Sequence, residues 1–189
     1  MVGLVLLAGG QSRRMGRDKA RMFGGLQRIL SEAKAAGLTP RIVLAGPPPR
    51  KSEFEHEGCV EDADHVLDDP DGATCLHDVL VHVLDGTLPA MVLTPCDAVH
   101  VDRRVFSRLA AMDAGVPLDD EGRRQVLFSH LPEGWKAAPS PTQHVEALFE
   151  ALEDREVPSI AGDLQSANTP EELVALASLK GRSFEGNGA

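Results

Sequence analysis

The 189 residues hold no long tract of lysine and arginine, no paired cysteines and no apolar run of membrane-spanning length. With 19 basic against 29 acidic residues and a net charge of −10, the chain is poorly suited to nucleic acid as its main partner. The plain reading of that acidity is solubility. Cys59, Cys75 and Cys96 are odd in number and lack paired spacing, which argues against a disulfide framework or a zinc knuckle and suits a reducing cytoplasm. The opening segment lacks the basic leader and cleavage site of a signal peptide and is interrupted too early to span a bilayer. A cytoplasmic location with no membrane partner is expected. No internal repeat or low-complexity linker divides the chain, and its length suits one α/β domain.

Two familiar phosphate loops are also missing. A Walker loop needs Gly-Lys followed by a hydroxyl, whereas Gly16 precedes Arg17-Asp18-Lys19-Ala20, and the Gly-x-Gly-x-x-Gly dinucleotide fingerprint is absent. What stands in their place is an apolar run, Val2-Gly3-Leu4-Val5-Leu6-Leu7-Ala8, that breaks into Gly9-Gly10-Gln11-Ser12-Arg13-Arg14-Met15-Gly16-Arg17-Asp18-Lys19. The run reads as a strand buried on both faces, and ligands of open parallel sheets bind beyond the carboxyl ends of such strands. Gly9 and Gly10 free the backbone to turn and present N–H groups, and the following basic residues supply donors for phosphate oxygens. A polyphosphate is the expected guest.

Strand and helix signals then alternate. Leu26, Ile29, Leu30 and Ala33 recur at helical spacing before Gly37, residues 41–45 read as a strand, and Gly46-Pro47-Pro48-Pro49 as a loop. Val66-Leu67 forms a short strand ending in Asp68-Asp69-Pro70-Asp71-Gly72, Leu76, Val79, Leu80, Val83 and Leu84 a crossover helix, and residues 90–94 a central strand. The expected fold is α/β: a three-layer, mostly parallel sheet with helices on both faces and one antiparallel element. That element is expected from a ribbon of Val116-Pro117-Leu118 with Gln125-Val126-Leu127-Phe128. A helix is expected to open at Ser140-Pro141 and bury Val145, Leu148, Phe149 and Leu152, and a last helix at Thr169-Pro170.

The segment from Leu7 to Lys19 resembles the signature of the molybdenum cofactor guanylyltransferase family, within the wider nucleotidyltransferases and their Rossmann-like fold. Leu93-Thr94-Pro95-Cys96-Asp97 resembles that family's magnesium-binding strand end, and Ser166-Ala167-Asn168-Thr169-Pro170-Glu171-Glu172-Leu173 its closing segment. The resemblance implies residues 1–180 as a single nucleotidyltransferase domain, with 181–189 a flexible tail. It implies transfer of GMP from GTP to a molybdopterin-type acceptor, Mg²⁺ as cofactor, and transient contact with molybdoenzymes.

By the same resemblance, Leu7, Ala8, Gly9, Gly10, Lys19, Asp68 and Asp97 bind nucleotide, Arg13, Lys19 and Asp97 are catalytic, Asp97 holds the metal, and Asn168 meets the acceptor. Residue chemistry supports several of these roles and offers alternatives. Lys19 and Arg13 can neutralise charge on a departing pyrophosphate, or stand solvated at a loop end. Asp97 supplies the hard oxygen that magnesium prefers, or caps the helix that follows. Asp68 and Asp69 share an acidic turn that needs no ligand, with Asp68 the chosen contact. Asn168 could instead bond the local backbone before Thr169. The acidic stretch from His56 to His65 matches no strong metal spacing, and His77 and His82 do not share a helix face.

Four prolines of the family pattern are absent, at Gly24-Gly25-Leu26-Gln27, Gly72-Ala73-Thr74-Cys75-Leu76, Asp97-Ala98-Val99 and Gln125-Val126. Each would have stiffened a turn beside the cleft. Another phosphorylated acceptor, such as a sugar or polyol phosphate, another donor such as CTP, and a nucleotide-binding protein without transfer activity remain as alternatives.

Overall fold

In β1 (Val2–Leu7) the side chains of Leu4 and Leu6 enter one apolar cluster and those of Val5 and Leu7 another, and all four are buried. A strand with two buried faces needs a layer on each side, and the chain supplies both. The computed structural model describes residues 1–9 and 18–165, together with Glu172 and Ala175. Gly10, Arg13, Asn168 and the tail 181–189 lie outside the described residues, as does most of the expected last helix, of which Glu172 and Ala175 are helical.

Helix α1 (Gly25–Ala35) follows the turn Lys19–Gly24 and buries Leu26, Ile29, Leu30 and Ala33, as their spacing predicts. It leads into β2 (Arg41–Gly46), α2 (Arg50–His56) and the edge strand β3 (His65–Asp68). Helix α3 (Leu76–Val83) then crosses to β4 (Ala90–Pro95), and α4 (Arg103–Ala111) follows. Leu26 and Ile29 of α1, Phe54 of α2 and Phe106 of α4 fill the cluster on one face, while Val79 and Leu80 of α3 pack on the other. Among the described residues no helix is long and apolar enough to cross a membrane.

The main sheet has the order β3-β2-β1-β4-β6, with β6 spanning His130–Leu131. β1, β2, β3 and β4 are parallel, and β6 lies antiparallel to β4 through Met91 with Leu131 and Val92 with His130. The antiparallel element therefore exists, but its residues differ from those expected. Val126–Phe128 is a 3-10 turn that buries Val126 and Phe128, and the expected ribbon is reduced to one bridge, Leu118 with Arg124. β5 (Val116–Pro117) pairs instead with β7 (Asp154–Arg155), in parallel.

The helix expected at Ser140-Pro141 is also corrected. Its buried residues Leu148 and Phe149 sit in a short 3-10 turn, Val145–Phe149, which opens after His144. Ser140 forms a turn instead, its hydroxyl paired with that of Thr142 at 2.9 Å and its N–H donating to Nε2 of buried His77 at 3.0 Å.

Candidate active site

The strand order reverses between β1 and β4, where successive crossovers part to opposite sides of the sheet. At such a switch point the loops separate and leave a crevice beyond the carboxyl ends of the strands. The two strands run in register to Leu7 opposite Pro95, and the Cys96 N–H donates to the Leu7 carbonyl at 3.0 Å. The ladder places Gly9 and Asp97 at the same carboxyl end of the sheet, each two residues beyond its last pair.

Lys19 reaches this edge from the following turn. Its Nζ lies 2.7 Å from Oδ2 of Asp97, with the two side chains only 17% and 11% exposed. The alternative of Asp97 as a helix cap is settled by Asp102, whose Oδ1 accepts from the Val105 N–H at 3.0 Å and starts α4. Asp18 opens the turn that carries Lys19, its carboxylate accepting from the Ala20 N–H at 3.1 Å. Behind Asp97, the half-buried Arg28 donates to the carbonyls of Ala98, at 2.8 Å, and Val101. Burial lowers the pKa of this guanidinium, opposed by Glu32 and Asp102. Arg28 thus fixes the turn after Asp97 where the family pattern has proline.

Lys19 and Asp97 line a cleft of about 890 Å³ together with Gly9 and Leu7. Leu44, Val79 and Leu127 add apolar surface, and Asp69, Thr74 and Cys75 form part of a polar wall. This volume is in the range of small-molecule and cofactor sites. Leu7 and Gly9 line it as expected, and Ala8 is buried beneath them. Thr74 and Cys75 lie in the Gly72–Leu76 segment where the family pattern has its proline, beside the cleft as that pattern implies, whereas Leu127 was singled out by no motif and its place follows from the tertiary fold.

Asp68 ends β3 exposed and is not among the residues lining the cleft, whereas Asp69 is. The cause is a register shift between Leu44 and Gly46, which pairs Gly46 with Asp68 and lets the Asp69 N–H donate to the Gly46 carbonyl at 2.9 Å. Gly9 and Gly46 meet backbone to backbone here. A Cβ on Gly9 would lie 2.9 Å from Gly46 Cα and 3.5 Å from Oδ1 of Asp69, so only glycine permits the approach. Burial, and then the charge of Asp68, raise the pKa of Asp69, while Arg50 opposes the shift.

Cys96 sits beside Asp97 with its thiol pushed up to about 12, first by burial and then by the Asp97 charge. It stays protonated near neutral pH and is unsuited to nucleophilic attack. One further cluster of metal-ligand type stands out among the described residues: ligand atoms of Cys75, His77 and Asp78 lie within 4.8 Å of one another. Both nitrogens of His77 are already engaged, Nε2 by the Ser140 N–H and Nδ1 by Asp78 at 3.3 Å. Asp78 also accepts from the Thr74 N–H and hydroxyl, at 2.9 and 2.8 Å, contacts that lower its pKa. The cluster orders the cleft wall at the start of α3.

A family model described as the MobA-like NTP transferase domain matches residues 4–167. The chain belongs to this family. Its fold is similar to the crystal structure of a homologue of Mycobacterium tuberculosis Rv0371c from Mycobacterium sp. strain JC1, with 20% identity and a TM-score of 0.69, covering 96% of this chain and 98% of that one. A nucleotidyl transferase from Methanothermobacter thermautotrophicus aligns at 16% identity and a TM-score of 0.60, covering 97% and 99%. The 4-diphosphocytidyl-2C-methyl-D-erythritol synthase of Anaerococcus prevotii aligns at 12% and 0.56, covering 96% and 99%. These likenesses show the fold. No curated protein matches the sequence. Membership makes this chain a nucleotidyltransferase by family, with a nucleoside triphosphate and an acceptor as its ligands.

Proposed function

We propose that this protein transfers GMP from GTP to the terminal phosphate of a molybdopterin-type acceptor. The observation that carries the reading is the Lys19–Asp97 pair, 2.7 Å apart at the switch point of a parallel sheet and facing a cleft large enough for a nucleotide. An acceptor phosphate oxygen attacks the α-phosphorus, the bond to the β-phosphate bridging oxygen breaks, and pyrophosphate leaves. The reaction needs alignment and charge neutralisation, with no covalent enzyme intermediate.

Lys19 faces the triphosphate and balances charge on the departing pyrophosphate. Arg13 is assigned the same task by resemblance to the family. The hard carboxylate of Asp97 suits magnesium, which takes one or two carboxylates and completes its shell with water and phosphate oxygens. Held there, Mg²⁺ would lower the charge on the reacting phosphates. Gly9 and the buried backbone of Leu7 and Ala8 bring the chain close to the nucleotide, and Asp69 takes the contact expected of Asp68. Asn168 is assigned to the acceptor by resemblance.

The donor base and acceptor rest on the Leu-Ala-Gly-Gly and Pro-Cys-Asp signatures. A second reading, a different phosphorylated acceptor or a CTP donor, is favoured by the wall Gly72–Leu76, where Thr74 and Cys75 face the cleft without the family's proline. Pyrophosphate release measured across nucleoside triphosphates and a panel of acceptors separates the two. Release with GTP and molybdopterin, lost in Lys19→Ala and Asp97→Asn, is expected. Unchanged release in either variant contradicts the mechanism, and release only with another acceptor or donor establishes the second reading.

A further inference from the structure

Arg50 opens α2 outside every motif that points to the site, yet its side chain is directed beneath the site. Its Nε donates to the Ala45 carbonyl at 2.8 Å, closing the end of β2, and its Nη2 donates to the Ala8 carbonyl at 2.8 Å, closing the end of β1. The same guanidinium grips the Asp18 carboxylate, Nη1 to Oδ2 at 2.8 Å and Nη2 to Oδ1 at 3.2 Å. Arg50 and Asp18 are 14% and 16% exposed, and the guanidinium stacks 4.9 Å from the ring centre of buried Phe54.

Ala8 and Asp18 flank the basic segment at positions 9–17, so one guanidinium ties both of its ends to the body of the sheet. Asp18 also caps the turn bearing Lys19 through the Ala20 N–H, which links Arg50 to Lys19 through two hydrogen bonds. Only a planar fork with several fixed donors can serve two carbonyls and a carboxylate together, and an ammonium cannot reproduce that geometry.

We propose that Arg50 is a positioning residue for the donor site, holding the ends of the phosphate segment and the Lys19 turn in register with Asp97. It touches no reacting atom. The proposal rests on the reading of Lys19 and Asp97 as the donor site, and its test includes a measurement that does not depend on that reading.

Hydrogen exchange at the Ala20 amide is measured in the wild type, Arg50→Ala, Arg50→Lys and Lys19→Ala, alongside pyrophosphate release. In Arg50→Ala that exchange is expected to accelerate, with kcat falling by roughly 10- to 100-fold from misplacement of the reacting groups. KM for the triphosphate should change less than kcat. Arg50→Lys should recover little, while millimolar guanidinium should restore part of the activity of Arg50→Ala. Lys19→Ala should lose activity without faster Ala20 exchange, which separates positioning from direct participation. If Arg50→Ala does not fold, Arg50→Lys, which keeps the charge without the planar fork, must show the same acceleration and the same kcat loss. Unchanged Ala20 exchange in a folded Arg50 variant, or kcat within twofold of the wild type, overturns the proposal. Should the wild type itself release no pyrophosphate, the donor-site reading fails, and Ala20 exchange alone decides whether Arg50 braces the turn.

Discussion

Residues 2–95 and residues 112–165 are held together by different means. The first region positions its side chains through strands of four to six residues, and the β1–β2 and β1–β4 ladders run in continuous register, so Gly9 and Asp97 are placed by long hydrogen-bonded ladders. The second has strands of two residues and short 3-10 turns, joined by side chains that bond to backbone. Asp119 accepts from the Glu121 and Arg123 N–H groups, both at 2.9 Å, and from Gln125 Nε2 at 2.8 Å. Arg124 donates to the carbonyls of Phe149 and Leu152. A site set by ladders is fixed by backbone pairing along whole strands, while a region of two-residue strands can be reshaped by exchanging a few polar side chains.

The contrast breaks most sharply at the site itself. Asp97→Asn and Lys19→Ala should each cut pyrophosphate release by about 100-fold or more while circular dichroism stays native, since both act on charge rather than packing. Next comes Gly46→Val. Gly46 has φ of +102° and a Cβ there would lie 2.7 Å from Gly9 Cα, so thermal unfolding should show a loss of about 2–4 kcal/mol together with weaker nucleotide binding.

In the second region, Asp119→Ala removes the acceptor that shapes residues 119–125. Its cost should be about 1–3 kcal/mol in thermal unfolding, with triphosphate affinity unchanged in calorimetry. A loss of triphosphate affinity would show that the two regions are not separable. The smallest effect concerns Asp69. Its raised pKa means that the folded protein holds a proton that the unfolded chain has released, so stability falls as pH rises through the window just above the ordinary carboxylate range. Melting curves across that window should flatten in Asp69→Asn and show a narrower decline in Asp68→Asn, which removes a raising charge.

The first region was largely readable from sequence, because Leu4 to Leu7, the α1 stripe and the β4 run each follow a single period from end to end. The pairing of Lys19 with Asp97 was implied by motif but required the parallel register of β1 with β4 to become a distance. The choice between Asp68 and Asp69 turned on a one-residue register shift at Gly46, which leaves no trace in composition. Val126-Leu127-Phe128 is a short apolar run such as a buried strand has, yet three residues also fit one turn, and tertiary packing selected the turn. Ser140-Pro141 carries local helix-opening preferences, and the long-range contact of Ser140 with His77 that holds this turn leaves no mark in the local sequence. Arg50 was invisible because its partners are backbone carbonyls and one aspartate far away in sequence.

The most direct measurement is a crystal structure with Mn²⁺ and a GTP analogue that cannot be cleaved between its α- and β-phosphorus atoms. The account predicts an anomalous peak about 2 Å from an Asp97 carboxylate oxygen, with the triphosphate against Gly9 and within reach of Lys19. A peak at Cys75, His77 and Asp78, or a triphosphate bound away from the β1–β4 switch point, would contradict it.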